Sequence, residues 1–187
     1  DMDIKGSWQD FQFTVALYSQ KVINAIAVAD TVIDGLPRSF VNSNGMNQRG
    51  LEWQANYAYH TEHLGLNLWT NGTWIAFEYA TAAQGNRLPG VPLSQLNNGL
   101  TVDWIFDRYA AKTGFQLVHQ WSDKTPLNNQ NTQWAAARNV VNLDWFLNLP
   151  VYRKSNESDG LGEVIHRKLI GSLGIHLGSN NLTNAVY

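Results

Sequence analysis

Between residues 51 and 60 the chain alternates regularly enough to decide its local structure. Leu51, Trp53, Ala55, Tyr57 and Tyr59 occupy the odd positions, and Glu52, Gln54, Asn56, Ala58 and His60 the even ones. A period of two puts successive side chains on opposite faces of an extended strand, whereas a helix needs a stripe of period 3.6. The pattern recurs along the whole chain. Phe11, Phe13, Val15 and Leu17 oppose Asp10, Gln12 and Thr14; Leu64, Leu66 and Leu68 alternate with Gly65 and Asn67. Leu100, Val102, Trp104 and Phe106 alternate with Thr101 and Asp103, with Ile105 as an exception. Phe115, Leu117 and Trp121 oppose Gln116 and Gln120, although His119 falls on the apolar side and Val118 on the polar one. Val141, Leu143, Trp145, Leu147 and Leu149 oppose Asn142, Asp144 and Asn148, and Leu169, Leu173, Ile175 and Leu177 alternate with Ser172, Gly174 and His176. No segment sustains a helical stripe. The expectation is an all-β, antiparallel chain of about seven strands.

The segments between strands have their own rhythm. Residues 61–63 and 107–109 are tight polar turns, whereas 29–41, 80–93 and 124–136 are long and rich in Asn, Gly, Pro and Gln. Short turns at one end and long loops at the other are the pattern of an up-and-down barrel in an outer membrane. Composition agrees. Charged residues make up 15% of the 187, against roughly 25% in an ordinary soluble domain. The 8 Trp, 7 Tyr and 7 Phe supply aromatic girdles near strand ends, for instance at Trp8, Tyr18, Tyr59, Trp74, Tyr79, Trp104 and Trp121. Alternation also explains why no stretch reaches the ~18 consecutive apolar residues of a membrane helix. Glu52, Gln54, Asn56, Asp103, Gln116, Gln120, Asn142 and Asp144 are expected to line a wet lumen while Leu, Trp and Tyr meet lipid. One stretch does not fit: 150–168 should be a short turn, yet it is long and charged. A soluble antiparallel sandwich whose exposed Trp and Tyr hold carbohydrate, and a simple porin-like barrel, share the alternation and stand as alternatives.

Other classes are excluded more directly. A net charge of −2 gives no basic field for nucleic acid. The absence of cysteine removes disulfide frameworks, thiolate zinc sites and Cys nucleophiles. The first residues, Asp1-Met2-Asp3-Ile4-Lys5, lack the basic region and apolar core of a signal peptide. His60-x-x-His63 beside Glu62 has ligand-type residues but no further partners, so a solvated turn is expected there, and no metal or cofactor. His119 is expected to pack on the strand face. Asp103 and Asp144 are expected to be lumen carboxylates, not a catalytic pair. With no Ser/His/Asp arrangement in support, no enzyme is expected. Asn71-Gly72-Thr73, Asn156-Glu157-Ser158 and Asn181-Leu182-Thr183 fit the glycosylation pattern, which recurs by chance and has no meaning in a bacterial envelope.

Three short motifs narrow the field. The chain reads Gly178-Ser179-Asn180-Asn181-Leu182-Thr183-Asn184-Ala185-Val186-Tyr187 after its 169–177 strand. This resembles the N-L-[F/T]-[N/D]-x-x-Y signature of TonB-dependent outer-membrane receptors, found at the outer end of the penultimate barrel strand. Gln48-Arg49-Gly50-Leu51-Glu52-Trp53-Gln54 is similar to that family's G-[V/L]-E strand start, which follows a strand like 11–26 and its outer loop. Gly85-Asn86-Arg87-Leu88-Pro89-Gly90-Val91-Pro92, leading into 96–100, resembles its G-x-x-[L/V]-P-x-[V/A]-P loop. The motifs occur in the family's order across nearly the whole chain. Gly50, Glu52, Pro89, Pro92, Asn181, Leu182, Asn184 and Tyr187 are the residues that carry the resemblance.

The resemblance implies a gated importer in the outer membrane of a Gram-negative bacterium. Its barrel has 22 strands closed by a plug, it draws energy through the TonB protein, and it is surrounded by lipid and lipopolysaccharide. The cargo it implies is a scarce nutrient such as a ferric siderophore, haem, a cobalamin or another metal chelate. Residues 1–187 would form the C-terminal portion of that barrel, about the fifteenth to twenty-first strands, without the plug, a TonB box or the last strand. Seven strands cannot close as a bacterial barrel, and free strand edges are costly in lipid, so a piece of a larger barrel is expected, or one completed by other chains. For an anionic chelate, Arg38 and Arg87 in the outer loops are the natural cations, since guanidinium pairs with carboxylate or catecholate oxygens. Trp134 in the third loop offers a stacking face.

Overall fold

The computed structural model describes residues 1–24, 26–28, 40–42, 45–79, 86–106, 111–158 and 163–183. In chain order the strands are β1 (Met2–Trp8), β2 (Phe11–Val22), β3 (Ile26–Val28), β4 (Phe40–Asn42), β5 (Met46–His60) and β6 (Leu64–Tyr79). Then follow β7 (Ser94–Phe106), β8 (Ala111–Ser122), β9 (Thr125–Pro126), β10 (Trp134–Ala135), β11 (Arg138–Ser158) and β12 (Glu163–Ser179). Eight of them form one sheet in the order β1-β2-β5-β6-β7-β8-β11-β12, each antiparallel to its neighbour, while β3-β4 and β9-β10 are separate ribbons within the long connections. This is an up-and-down meander in which every strand pairs with the next long one. All seven expected strands are present.

Three points differ from the expectation. The sheet gains an eighth strand, β1, which joins β2 through the tight turn at Gln9-Asp10, with Gln9 at φ 51°. The strand expected to run to residue 26 stops at Val22, where Asn24 takes a left-handed φ of 58°. The stretch 150–168, expected as a long charged connection, is mostly paired strand. β11 and β12 run in register from Leu143↔Ser179 to Ser158↔Glu163, with one irregularity between Val151 and Tyr152. The charged residues there lie on strands that continue past the apolar stretch, so the connection shrinks and the misfit disappears.

Cross-strand partners share a face, so the register assembles single residues into rows. Trp8, Phe11, Tyr57, Leu68, Leu100, Leu117 and Leu143 form one row across seven strands. The next row on the same face is Tyr59, Leu66, Val102, Phe115, Trp145 and Leu177. The opposite face is carpeted with amides and hydroxyls, as in the row Lys5, Thr14, Gln54, Asn71, Asn97 and Gln120. On β11 the apolar positions run from Val141 to Val151. Ten steps of about 3.4 Å tilted by about 40° rise roughly 26 Å, which matches the ~25 Å apolar band of an outer-membrane barrel.

Among the described residues nothing covers either face. Within the described strands of the large sheet the buried apolar side chains are Ala111 and Val140, and in the β9–β10 ribbon Pro126, while Leu177 is 64% and Leu173 53% exposed. No described strand contacts the sheet from above or below; each touches only its neighbours within the sheet or ribbon. A soluble sandwich buries its apolar face against a second layer, and the described residues supply none.

Within the sheet, bulky rings lie flat over glycines on the neighbouring strand. Trp69 covers Gly99, Trp53 covers Gly72, Tyr18 covers Gly50 and Phe13 covers Gly6, and a Cβ at any of the four glycines would fall inside the ring's van der Waals envelope. These pairs pin the register, because a one-residue slip would move each ring onto a side chain. Gly99→Val should therefore destabilise the folded protein by about 1–3 kcal/mol through overpacking. Combining it with Trp69→Ala should cost less than the sum of the single changes, as a double-mutant cycle of unfolding midpoints would show.

Candidate functional site

Two of the long connections meet at the loop end of the sheet. Asp123 follows β8 directly, and its backbone N–H donates to the Ser94 carbonyl at 2.9 Å, which holds it at the rim. Its two carboxylate oxygens are both used. Oδ1 accepts the Lys124 backbone N–H at 2.8 Å, and Oδ2 accepts Arg87 Nη1 at 3.0 Å. The two side chains are 24% and 29% exposed, shielded enough for the pair to fix geometry.

Arg87 is gripped through its backbone as well. Its N–H donates to Asn131 Oδ1 at 2.6 Å, and its carbonyl accepts from Asn131 Nδ2 at 2.9 Å. Asn131 itself sits at φ 54°, a conformation Asn tolerates better than most residues. Asn86 Nδ2 donates to the Asn129 carbonyl at 2.9 Å, and the Gly90 N–H donates to the Pro126 carbonyl at 2.9 Å. Residues 86–90 are thus stitched to residues 123–134. The turn at 128–133 is closed by Asn128, whose Oδ1 accepts the Thr132 N–H at 2.9 Å, and by the Leu127 N–H donating to the Gln133 carbonyl.

This bracing brings Arg87 and Trp134 together although 47 positions separate them in the chain. The Trp134 indole N–H donates to the Asn131 carbonyl at 2.7 Å, which sets the ring's orientation. The Arg87 guanidinium lies 5.5 Å from the ring centroid and the Lys124 ammonium 4.9 Å, both within the ~6 Å reach of a cation–π contact. Two cations against one carboxylate leave one net positive charge beside an indole that is 37% exposed. Such a corner suits a ligand carrying both negative charge and a planar group.

Lys124 and Asp123 escaped the sequence reading, because nothing local ties Asp123 to a residue 36 positions earlier. Arg38, Asn184 and Tyr187 lie outside the described residues. The other motif residues have structural positions. Gly50 lies beneath Tyr18, and Glu52 stands on the polar face in the row of Asp3 and Thr73. Pro89 precedes Gly90 in a turn at φ 78°, and Pro92 leads toward β7. Asn181 and Leu182 fold back onto β11. The Asn181 N–H donates to Asn142 Oδ1 at 2.9 Å, the Leu182 N–H to the Val141 carbonyl at 2.8 Å, and the Thr183 hydroxyl to the Asn139 carbonyl at 2.7 Å.

The remaining candidates are structural. His60 and His63 flank a turn closed by Thr61, whose Oγ1 accepts the Leu64 N–H at 3.0 Å. Among the described residues no group of three or more His, Asp and Glu is placed to hold a metal. Asp103 pairs with Lys112 at 3.1 Å and lies over Gly65, while Asp144 lies over Gly178, with β8 between the two carboxylates.

An antiparallel meander with one wet face, one uncovered apolar face and braced loops at one end is the wall of a transmembrane β-barrel. A family model described as TonB dependent receptor-like, beta-barrel matches residues 3–153. The chain belongs to that family. Among solved structures it is similar to BauA, the ferric preacinetobactin receptor from Acinetobacter baumannii, with a TM-score of 0.58 and 14% identity. The match covers 95% of this chain and 28% of that one, so the chain spans little more than a quarter of that receptor's length, and at this identity the likeness concerns the fold. A comparison with curated proteins found no match. The family and the structural neighbour are transport receptors, not enzymes.

The Arg87–Asp123 pair should hold the two loops together measurably. A double-mutant cycle with Arg87→Ala and Asp123→Ala should give a coupling of about 0.5–1 kcal/mol, and either change should speed proteolysis within residues 124–133. Proteolysis at the parental rate in both variants would remove the bracing role.

Proposed function

We propose that the chain is the C-terminal portion of the barrel of an outer-membrane active-transport receptor, energised through TonB, whose cargo is a ferric siderophore or another anionic metal chelate. The observation that carries this reading is the family match across residues 3–153. Membership of that family implies the outer membrane of a Gram-negative bacterium. The cargo reading leans on the loop corner. Metal chelates of this kind present anionic oxygens on planar groups, and Trp134 with Arg87 and Lys124 offers a ring and excess positive charge on the side from which an external ligand arrives. Arg38 is proposed as a further loop cation for the same ligand. Guanidinium suits carboxylate or catecholate oxygens through paired donors, and Lys124 adds a point charge.

In such a receptor the loop corner binds cargo and the barrel wall provides the passage. Specificity arises where the loops meet, because the amide-rich face of the sheet is nearly neutral and discriminates little by charge. A porin-like pore would admit small solutes without an energy source.

The experiment uses the full-length receptor in a strain that lacks its own siderophore receptors. Growth on ferric siderophores under iron limitation should depend on the receptor and on TonB. Trp134→Ala should raise the Kd for the transported chelate about 2- to 30-fold, the effect of losing a cation–π and stacking contact worth about 0.5–2 kcal/mol. Growth that needs the receptor but not TonB would support a porin instead. An unchanged Kd for both Trp134→Ala and Arg87→Ala would remove the loop corner from the binding site.

A further inference from the structure

The apolar face carries one row that breaks its own rule. Thr70, Asn98 and His119 are cross-strand partners on β6, β7 and β8, placed between the row of Leu68, Leu100 and Leu117 and the row of Leu96 and Trp121. Polar side chains among lipid-facing positions are costly unless they are satisfied, and these satisfy one another. The Thr70 hydroxyl donates to Asn98 Oδ1 at 2.8 Å, and Asn98 Nδ2 lies 3.1 Å from His119 Nδ1. His119 Nε2 lies 2.8 Å from Asn139 Oδ1 on β11. Donors and acceptors alternate consistently when Nδ1 accepts and Nε2 carries the proton. The ladder thus links four strands in one direction, and it leaves spare capacity at the Thr70 oxygen and at the second N–H of each amide.

A groove of about 370 Å³ leads to this ladder, within the roughly 300–1,000 Å³ range of small-molecule sites. Its walls are mainly Phe11, Tyr57, Leu68, Leu100 and Leu117, with Thr70, Asn98 and His119 bordering it on the side toward the long loops. Apolar on the side toward the short turns and hydrogen-bonding on the side toward the long loops, it has the polarity pattern of an acyl chain entering its linkage region. The ladder occupies the half of β8 and β11 nearer the long loops, His119 being three residues from the end of β8 and Asn139 the second residue of β11. In a barrel of this family that half faces the outer leaflet. The row holds no Lys, Arg, Asp or Glu, so it is built to meet hydroxyls and carbonyls and not phosphates.

We propose that this groove and ladder form a binding site for one acyl chain of lipopolysaccharide, with the hydroxyl and carbonyl groups near its linkage held by Thr70, Asn98 and His119. The site depends on the family's membrane setting and not on the cargo, so the two readings fail separately.

The test purifies the full-length receptor and variants into nanodiscs of two compositions, one containing rough lipopolysaccharide and one phosphatidylethanolamine alone. Lipid retained after a detergent wash is counted by native mass spectrometry. His119→Phe and Thr70→Val should each lower retained lipopolysaccharide at least fivefold, while Thr101→Val on the opposite face leaves it unchanged. Thr70→Val removes only the hydroxyl, so it serves even if His119→Phe folds poorly. Equal retention in Thr70→Val and the parent would overturn the proposal. So would equal retention of phosphatidylethanolamine, or a dimer of the receptor that forms through this face.

Discussion

The structure depends on an antiparallel ladder of backbone hydrogen bonds across eight strands, with one irregularity between Val151 and Tyr152. Inside lipid no water can satisfy a peptide group, so every N–H and C=O must find a partner within the protein. Pairing each strand with the next in the chain achieves this with short connections at one end, and the pairing then dictates everything about the faces. Once Leu51 is opposite Leu17 and Trp74, the alternation of each strand adds up to one mainly apolar surface, interrupted by the row of Thr70, Asn98 and His119, and one mainly polar surface. Because no second layer among the described residues covers the apolar surface, its stabilisation comes from the solvent it faces, not from a core.

That dependence explains how legible the fold was. The period-two pattern of 51–60 or 141–149 survives in the sequence because both faces have a fixed environment, so seven of the eight long strands could be read directly. β1 could not, since Met2, Ile4 and Gly6 make a weak row and Phe13 supplies the missing bulk from across the ladder. The 150–168 region misled for a related reason. Strand pairing continues there after the apolar alternation has ended, so its charge density imitates that of a loop. Hydrogen bonding, not hydrophobicity, sets the end of a strand.

The loop corner was legible in its parts and not in its assembly. Arg87 and Trp134 stand out as a loop cation and a loop aromatic, but their approach is produced by Asn131 gripping the Arg87 backbone and by Asp123 gripping its guanidinium. Such contacts join distant residues without any periodic trace. His119 shows the same limit. Its position on the apolar side was evident from alternation, but its ladder with Thr70, Asn98 and Asn139 appears only when four strands are set in register.

The measurement that tests the central claim most directly is the accessibility of single cysteines along β7 in the full-length receptor in lipid. Residues 1–187 contain no native cysteine, so spin labels at 100–104 are confounded only by cysteines elsewhere in the receptor, which can be replaced. Labels at Leu100, Val102 and Trp104 should collide with apolar oxygen, and labels at Thr101 and Asp103 with a water-soluble nickel chelate, alternating at every position. Uniform accessibility along the strand, or the opposite phase, would contradict a barrel wall with lipid on its leucine face and water on its amide face.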